Sequence, residues 1–243
     1  MIFLFTDFGS ADLYVGQVKA RLARVAPDVP VIDLLHDAPA FRVQASAHLL
    51  CALAGEQPSG SVTLAVVDPG VGTSRKPVVV RADGAWFVGP DNGLLSVLAA
   101  RSADAEVYEI VWRPSSMSRS FHGRDLFAPI AGRIAASVLG EDSIRPAAGL
   151  DVVFDAGDFG EVIYVDHYGN AMTGLRGRDA DPAGVLSVGE ADVRFASVFA
   201  QAVPNEAFWY VNSIGLVEIA LDRGSAAKAL GLSVGDVVQW LRC

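Results

Sequence analysis

The chain has little of several things that usually betray a function. Among 243 residues there are only two cysteines, Cys51 inside an apolar segment and Cys243 at the end of the chain. Two so placed give neither a disulfide framework nor a CxxC metal pair, and a reducing cytoplasm is the expected location. Basic residues are scarce, 19 against 28 acidic, for a net charge of −9. No Lys/Arg run reaches four, so a nucleic-acid backbone or an anionic membrane would be repelled, whereas a small cation would be attracted, with salt limiting the range. Long apolar runs are missing too. The opening run 2–5 is stopped by Asp7, too short for a signal-peptide core, and nothing approaches the roughly 18 residues of a membrane span. No GxxxxGK[ST] or GxGxxG is present, which argues against nucleotide triphosphate use and dinucleotide-type methyl transfer, and no GxSxG follows an apolar strand as a nucleophile elbow must, which argues against a serine nucleophile. His36 and Asp37 follow an apolar run without a second histidine at ligand spacing, so no metal site is expected.

What the chain does have is core: 51% hydrophobic and 19% charged residues. Its length suggests two domains. Up to about residue 145, short apolar runs (2–6, 29–34, 62–67, 78–81, 86–88 and 107–111) alternate with helical patterns at 14–25, 41–54, 94–100 and 126–139. That alternation predicts a three-layer α/β domain on a mainly parallel sheet. Gly55 and Gly140 fit as helix stops, and Pro129 near the start of the last helix is tolerated there. Residues 140–160 lack periodicity and read as a linker or crossover. From 160 to 243, short strands at 185–188, 193–195, 208–211, 217–221 and 237–241, with one helical stretch at 225–230, predict a smaller β-barrel-like domain. In 217–221 the period of two places Glu218 and Ala220 on the outer face of a half-buried strand.

Three segments of the first domain end a strand in a polar loop, where open α/β sheets gather ligands. In TDFG (6–9), Asp7 suits a ribose diol, or is simply a helix cap. In AVVDPGVGTSRKP (65–77), Pro69, Gly70 and Gly72 bend the loop so that Arg75 returns towards Asp68; a capping acid with a solvent-facing arginine is the alternative. In SFHGRDLFAP (120–129), His122 and Arg124 crowd a helix entrance and suit either an anion or a structural role. GPDNG (89–93) reads as a turn.

Taken in order, TDFG with DxYVG (12–16), VVDPGVGTSR (66–75), GPDNG, FHGRDLFAP (121–129), DHYGN (166–170) and NSIGLVEIA (212–220) resemble the S-adenosyl-L-methionine hydroxide adenosyltransferases. These are adenosine-forming hydrolases related to the fluorinating and chlorinating enzymes. The resemblance implies an α/β N-terminal domain, a β-rich C-terminal domain, and a homotrimer with active sites between neighbouring subunits. It implies hydrolysis of S-adenosyl-L-methionine, as a substrate and not a cofactor, to adenosine and methionine by attack of an activated water on ribose C5′. The family's water-activating trio falls on Asp68, Arg75 and His122, and its ribose-holding acid on Asp7, with Phe8 beside it. Asp166, Tyr168 and Asn170 match a DxFGN motif around methionine and adenosine, Tyr168 replacing the common Phe. Ser213 matches a residue near the methionine end. Leu221 and Asp222 stand where halogenating relatives carry Arg and Asn near adenine. The alternatives are a halogenase making a 5′-halo-5′-deoxyadenosine and a noncatalytic binding module; the retained trio disfavours the first.

Overall fold

A computed structural model describes residues 1–241, so Cys243 lies outside the described residues. The chain divides into two compact units, Met1–Ala156 and the remainder from Gly157.

The first unit runs β1 (Ile2–Thr6), α1 (Leu13–Val25), β2 (Val31–Leu35), α2 (Val43–Ala54), β3 (Val62–Val66), β4 (Pro77–Ala82), β5 (Ala85–Pro90), α3 (Ser96–Arg101), β6 (Glu106–Ile110), α4 (Ala128–Ala135) and β7 (Ile144–Pro146). The strands form one sheet in the order β2-β1-β3-β5-β4-β6-β7. β2, β1, β3 and β5 are mutually parallel; β4 is antiparallel to both β5 and β6, and β7 antiparallel to β6. Five strands of this sheet therefore point one way. Alternate strand residues Ile2, Leu4, Val62, Leu64 and Val66 pack with Val18 and Leu22 of α1 and Ile130 and Ala131 of α4. The intervening Phe3, Phe5, Thr63 and Ala65 are buried as well, so both faces are covered, as continuous apolar runs in parallel strands require.

Two local departures from the sequence expectation have physical causes. The helix expected over 126–139 is shorter, and it is preceded by a π-turn, Gly123–Phe127, in which the Ala128 N–H donates to the Gly123 carbonyl. Pro129 has no N–H to give, so the Asp125 carbonyl lacks its i→i−4 donor in the first turn of α4, and wide turns such as the one preceding it concentrate at functional sites. The stretch 140–160 is not a free linker. It contributes the edge strand β7, and its continuation is pinned: Asp151 and Val152 N–H donate to the Asp91 carboxylate, Phe154 N–H to Ser96 Oγ, and Arg101 Nε to the Ala156 carbonyl.

The second unit contains β8 (Phe159–Val165), β9 (Ala171–Arg176), β10 (Leu186–Val188), β11 (Ala191–Phe195), β12 (Ala207–Val211), β13 (Leu216–Leu221), α5 (Ala226–Leu230) and β14 (Val238–Trp240). Its order is β14-β10-β11-β12-β13-β9-β8. The two edges meet: Glu161 bridges Val237, Val162 N–H donates to the Asp236 carbonyl at 2.9 Å and Gly235 N–H to the Val162 carbonyl at 2.8 Å. The sheet is thus nearly closed and barrel-like, which removes most of its free edge. β8 and β9 flank the DHYGN turn and were not anticipated as strands.

The centre of this barrel is Trp209, fully buried, against Phe195 and Trp240 at ring separations of 4.7 and 4.9 Å, with its Nε1–H donated to the Gly184 carbonyl at 3.1 Å. Trp209→Ala removes this packing and orphans an acceptor. It should destabilise the second unit by about 3–5 kcal/mol, measurable as a lowered urea midpoint by circular dichroism; an unchanged midpoint would refute this assignment of the core.

Candidate active site

The strand order β2-β1-β3 creates a topological switch point: from β1 the chain moves to one side, then returns to the other. Ligands in open α/β sheets bind beyond the carboxyl ends of strands at such a point. Thr6 at the end of β1 is in register with Val66 at the end of β3, and Asp7 N–H donates to the Val66 carbonyl at 3.3 Å. Asp7 and Asp68 therefore leave adjacent parallel strands side by side.

The loop after β3 turns back on itself through Val71 N–H to the Asp68 carbonyl and Thr73 N–H to the Gly70 carbonyl, each 3.2 Å. Gly72 sits at φ +82°, and a Cβ there would lie 2.9 Å from the Arg119 carbonyl oxygen, so this corner demands glycine. The result brings Arg75 onto Asp68. Nε donates to Oδ1 at 2.7 Å and Nη2 to Oδ2, a bidentate pair whose side chains are only 8% and 6% exposed. The same Nη2 is 3.2 Å from His122 Nδ1, and the guanidinium carbon lies 5.3 Å from the Phe127 ring centre. The three residues of the sequence-read trio thus form one connected cluster.

Its protonation pattern follows. Burial, then the Arg75 charge, lowers the His122 pKa below its usual 6.5. The ring is neutral at physiological pH. A guanidinium only donates, so Nδ1 accepts and the ring proton sits on Nε2. The triad contacts engage Nε and Nη2 of Arg75, leaving the Nη1 donors outside them.

The turn read at 89–93 is what holds this loop at both ends. Asn92 Nδ2 donates to the Val67 carbonyl at 2.9 Å, and Asp91 N–H to the Lys76 carbonyl at 2.9 Å. Phe8 packs beside the cluster: a Cβ on Gly123 would meet its ring at 3.0 Å, and it contacts Phe121 and Tyr14 at 5.7 and 6.0 Å.

Two candidates weighed in the sequence are occupied elsewhere. Arg124 grips the Asp125 carboxylate through Nε and Nη2, each 2.8 Å, and Gln17 through Nη1. His36 bonds Thr6 Oγ1 at 2.8 Å and Asp33 Oδ1 at 3.0 Å, while Asp37 accepts from Ser10 N–H. Among the described residues no group of three or more His, Cys, Asp or Glu is arranged to hold a metal ion, and no helix is long and apolar enough to cross a membrane.

In the second unit, Asp166 and Asn170 close the DHYGN turn on each other: Asn170 N–H to Oδ1 at 2.8 Å and Nδ2 to Oδ2 at 2.9 Å. Gly169, at φ +86°, abuts Ser225 so tightly that a Cβ would lie 1.9 Å from its hydroxyl. The preceding Tyr168 is 76% exposed and lines a cavity of about 510 Å³ together with Asn170, Phe199, Leu221, Arg223 and Gly224. Asp222 does not line it; its carboxylate lies 3.9 Å from Arg223 Nε. Ser213 is exposed on the β12–β13 turn. Phe199 was missed because its 3₁₀ turn has no periodicity to read.

Glu218 was expected outside and is 2% exposed, with Tyr210 Oη and Asn212 Nδ2 donating to it at 2.7 Å each. The period of two was read correctly, but the outer face is itself covered. Ala220 packs there with Phe208, Ala196, Ala202 and Tyr210, and Phe199 lies 5.4 Å from Tyr210.

Asp7 supplies a pH signature. Burial, reinforced by the Asp68 charge and opposed by its backbone N–H, pushes its pKa from 3.8 to about 6. The folded state binds this proton more tightly, so stability falls as pH rises from about 4 to 6 and stays lower above. Asp7→Asn, which cannot charge, should raise the melting temperature at pH 7–8 and match the parent below pH 3.8. Equal melting temperatures at pH 7.5 would contradict this.

The family model for the SAM hydroxide adenosyltransferase N-terminal domain matches residues 2–143, and that for the C-terminal domain residues 160–239. The chain is 37% identical to the (R)-S-adenosyl-L-methionine hydrolase of Thermus thermophilus over 99% of both proteins. It is 24% identical to a fluorinase of Actinopolyspora mzabensis, covering 100% of this chain and 97% of that one. A crystal structure of an uncharacterised conserved protein from Thermotoga maritima superposes with a TM-score of 0.89 at 33% identity, over all of both chains. With both domain models matched in order on the two compact units, the chain belongs to the SAM hydroxide adenosyltransferase family.

Proposed function

We propose that the protein hydrolyses S-adenosyl-L-methionine to adenosine and L-methionine, water attacking ribose C5′ in line with the departing sulfur. The observation that carries this reading is the Asp68–Arg75–His122 cluster beyond the carboxyl end of β3, supported by relatives named (R)-S-adenosyl-L-methionine hydrolase.

A sulfonium leaves as a neutral thioether, so no acid is needed for departure; the nucleophile is the difficulty. Ionising water in advance at pH 7 costs roughly 12 kcal/mol, against about 1.5–3 kcal/mol for each hydrogen bond to a charged group. Concerted attack is the affordable course. As the C5′–O bond forms and the C5′–S pair passes to sulfur, a water proton moves to the Asp68 carboxylate. His122 does not compete for it, because its Nδ1 already accepts from Arg75 and its Nε2 carries a proton; that N–H and the Nη1 donors of Arg75 orient the water instead. Positioning supplies much of the acceleration. Asp7 holds the ribose hydroxyls with Phe8 at its side, and its charge, lost below about pH 6, also favours a cationic substrate. Attraction of this kind weakens as the substrate's positive charge is neutralised, so Asp7 serves binding more than turnover.

The first unit carries the chemistry and ribose contact, and the second supplies Asp166, Tyr168, Asn170, Ser213, Leu221 and Asp222 around adenosine and methionine. In this reading the active form is a homotrimer with second-unit residues donated across subunits. Exposed Leu13, Tyr14 and Phe41 of the first unit, 63, 42 and 80% accessible, are surfaces such an assembly would cover. Sedimentation should return the mass of three chains; a monomer with full activity would remove this part. The scarcity of cysteine and the acidic composition support a cytoplasmic setting with no nucleic-acid partner.

The test is a product assay with and without chloride and with a chelator. Adenosine and methionine in equal amounts, unaffected by either addition, are expected. Asp68→Asn should lower kcat by roughly a hundred- to ten-thousandfold. Chloride-dependent 5′-chloro-5′-deoxyadenosine would make the protein a halogenase, and binding without turnover would make it a noncatalytic module.

A further inference from the structure

The proposed reaction uses Ser213 and the Asp166–Asn170 turn but leaves unexplained the most deeply buried acid of the second unit. Glu218 lies on β13 opposite Tyr210 of β12 and Met172 of β9. It has no cation among its hydrogen-bond partners, which are the Tyr210 hydroxyl and the Asn212 amide. Burying a carboxylate in this way is costly. Burial raises the Glu218 pKa, and the neighbouring Asp166 charge raises it further despite the two hydrogen bonds. The stability of the barrel alone gives no reason for an acid here, since an apolar residue would fill the same face at less cost.

The geometry shows what the acid does. An ionised carboxylate only accepts, so Asn212 must present Nδ2 to it. That fixes Asn212 Oδ1 towards the β12–β13 turn, where it accepts from Ile214 N–H at 3.1 Å and Leu216 N–H at 3.0 Å. Two backbone bonds complete the turn, Asn212 N–H to the Leu216 carbonyl at 2.9 Å and Gly215 N–H to the Asn212 carbonyl at 3.0 Å. Ser213 is carried inside this clamp. Were the Asn212 amide reversed, its NH₂ would face two backbone donors, and the turn would lose both bonds.

We propose that Glu218 is a positioning residue for the methionine end of the site: by dictating the orientation of the Asn212 amide it holds the turn that presents Ser213. The inference rests on the function proposed above only for the identity of what Ser213 meets; the clamp itself is a matter of hydrogen bonding. Glu218 touches no substrate in this account and acts entirely through Asn212.

The polarity of the pair supplies the test. Asn212→Asp sets carboxylate against carboxylate and should raise KM for S-adenosyl-L-methionine by about tenfold or more, the scale of one unsatisfied buried polar group, with kcat changed less than threefold. Adding Glu218→Gln restores a donor facing an acceptor with the partners exchanged, and the double variant should return KM to within about threefold of the parent. Glu218→Gln alone keeps the shape and one acceptor, and should fall between the two. Product inhibition locates the effect: methionine should bind more weakly to Asn212→Asp, adenosine equally well. Hydrogen exchange at the Ile214 and Leu216 amides reads the clamp without any catalysis, and should accelerate in Asn212→Asp and slow again in the double variant. If exchange at these amides is unaltered by Asn212→Asp, or a folded double variant fails to recover KM, the positioning role is overturned. If the exchange pattern follows expectation but the parent releases no adenosine, the function proposed above fails and the clamp stands.

Discussion

A guanidinium that grips a carboxylate through two parallel bonds has its plane fixed, and every other group it touches is then placed relative to that plane. Arg75 occupies this position. Its grip on Asp68 determines where Nη2 meets His122 Nδ1, and therefore which tautomer the imidazole holds. A buried ion pair is weak evidence for stability, because desolvation consumes much of the Coulombic gain. What this pair secures is arrangement: one acceptor and a set of donors, all oriented before a substrate arrives. The remainder of the first unit can be read as support for it. The parallel strands β1 and β3 deliver Asp7 and Asp68 to the same edge, Gly72 allows the return of the loop, and Asp91 and Asn92 fasten its two ends.

The second unit solves a similar problem differently. Its barrel is nearly closed, and its one buried acid among the described residues lies on the outer face of β13. There Glu218 is bonded to Asn212 and to Tyr210, whose ring meets Phe199. Both units thus hold a buried carboxylate in a fixed hydrogen-bonding frame. Asp68 is held directly by a cation, whereas Glu218 is held by neutral donors and transmits its preference through an amide.

Much of this was legible in the chain. The alternation of apolar runs and helical patterns gave the three-layer domain, and the short spaced strands gave the barrel, because hydrophobic periodicity is set by local geometry. Asp68, Arg75 and His122 lie in polar loops at strand and helix ends, and the family resemblance marks them out as one trio. Other features were not accessible. The period of two showed which residues share a face of β13, and not that the segment 196–206 covers that face, so Glu218 was misplaced outside. β7, β8 and β9 escaped notice because short strands at edges and turns show little alternation. The π-turn at 123–127 differs from a regular helix by a single widened bond, from Ala128 N–H to the Gly123 carbonyl, which no periodicity records.

The sequence by itself determined the two-domain composition, the types of element, the acidic character and the chemical repertoire, since each depends on residues near one another along the chain. Tertiary structure alone decided that residues 7, 68, 75 and 122 lie together, that residues 91 and 92 hold their loop, and that Glu218 faces Asn212 rather than water. The reason is geometric. Strand order in a sheet is fixed by packing among distant segments, and a hydrogen bond across tens of residues leaves no periodic trace in the chain that forms it.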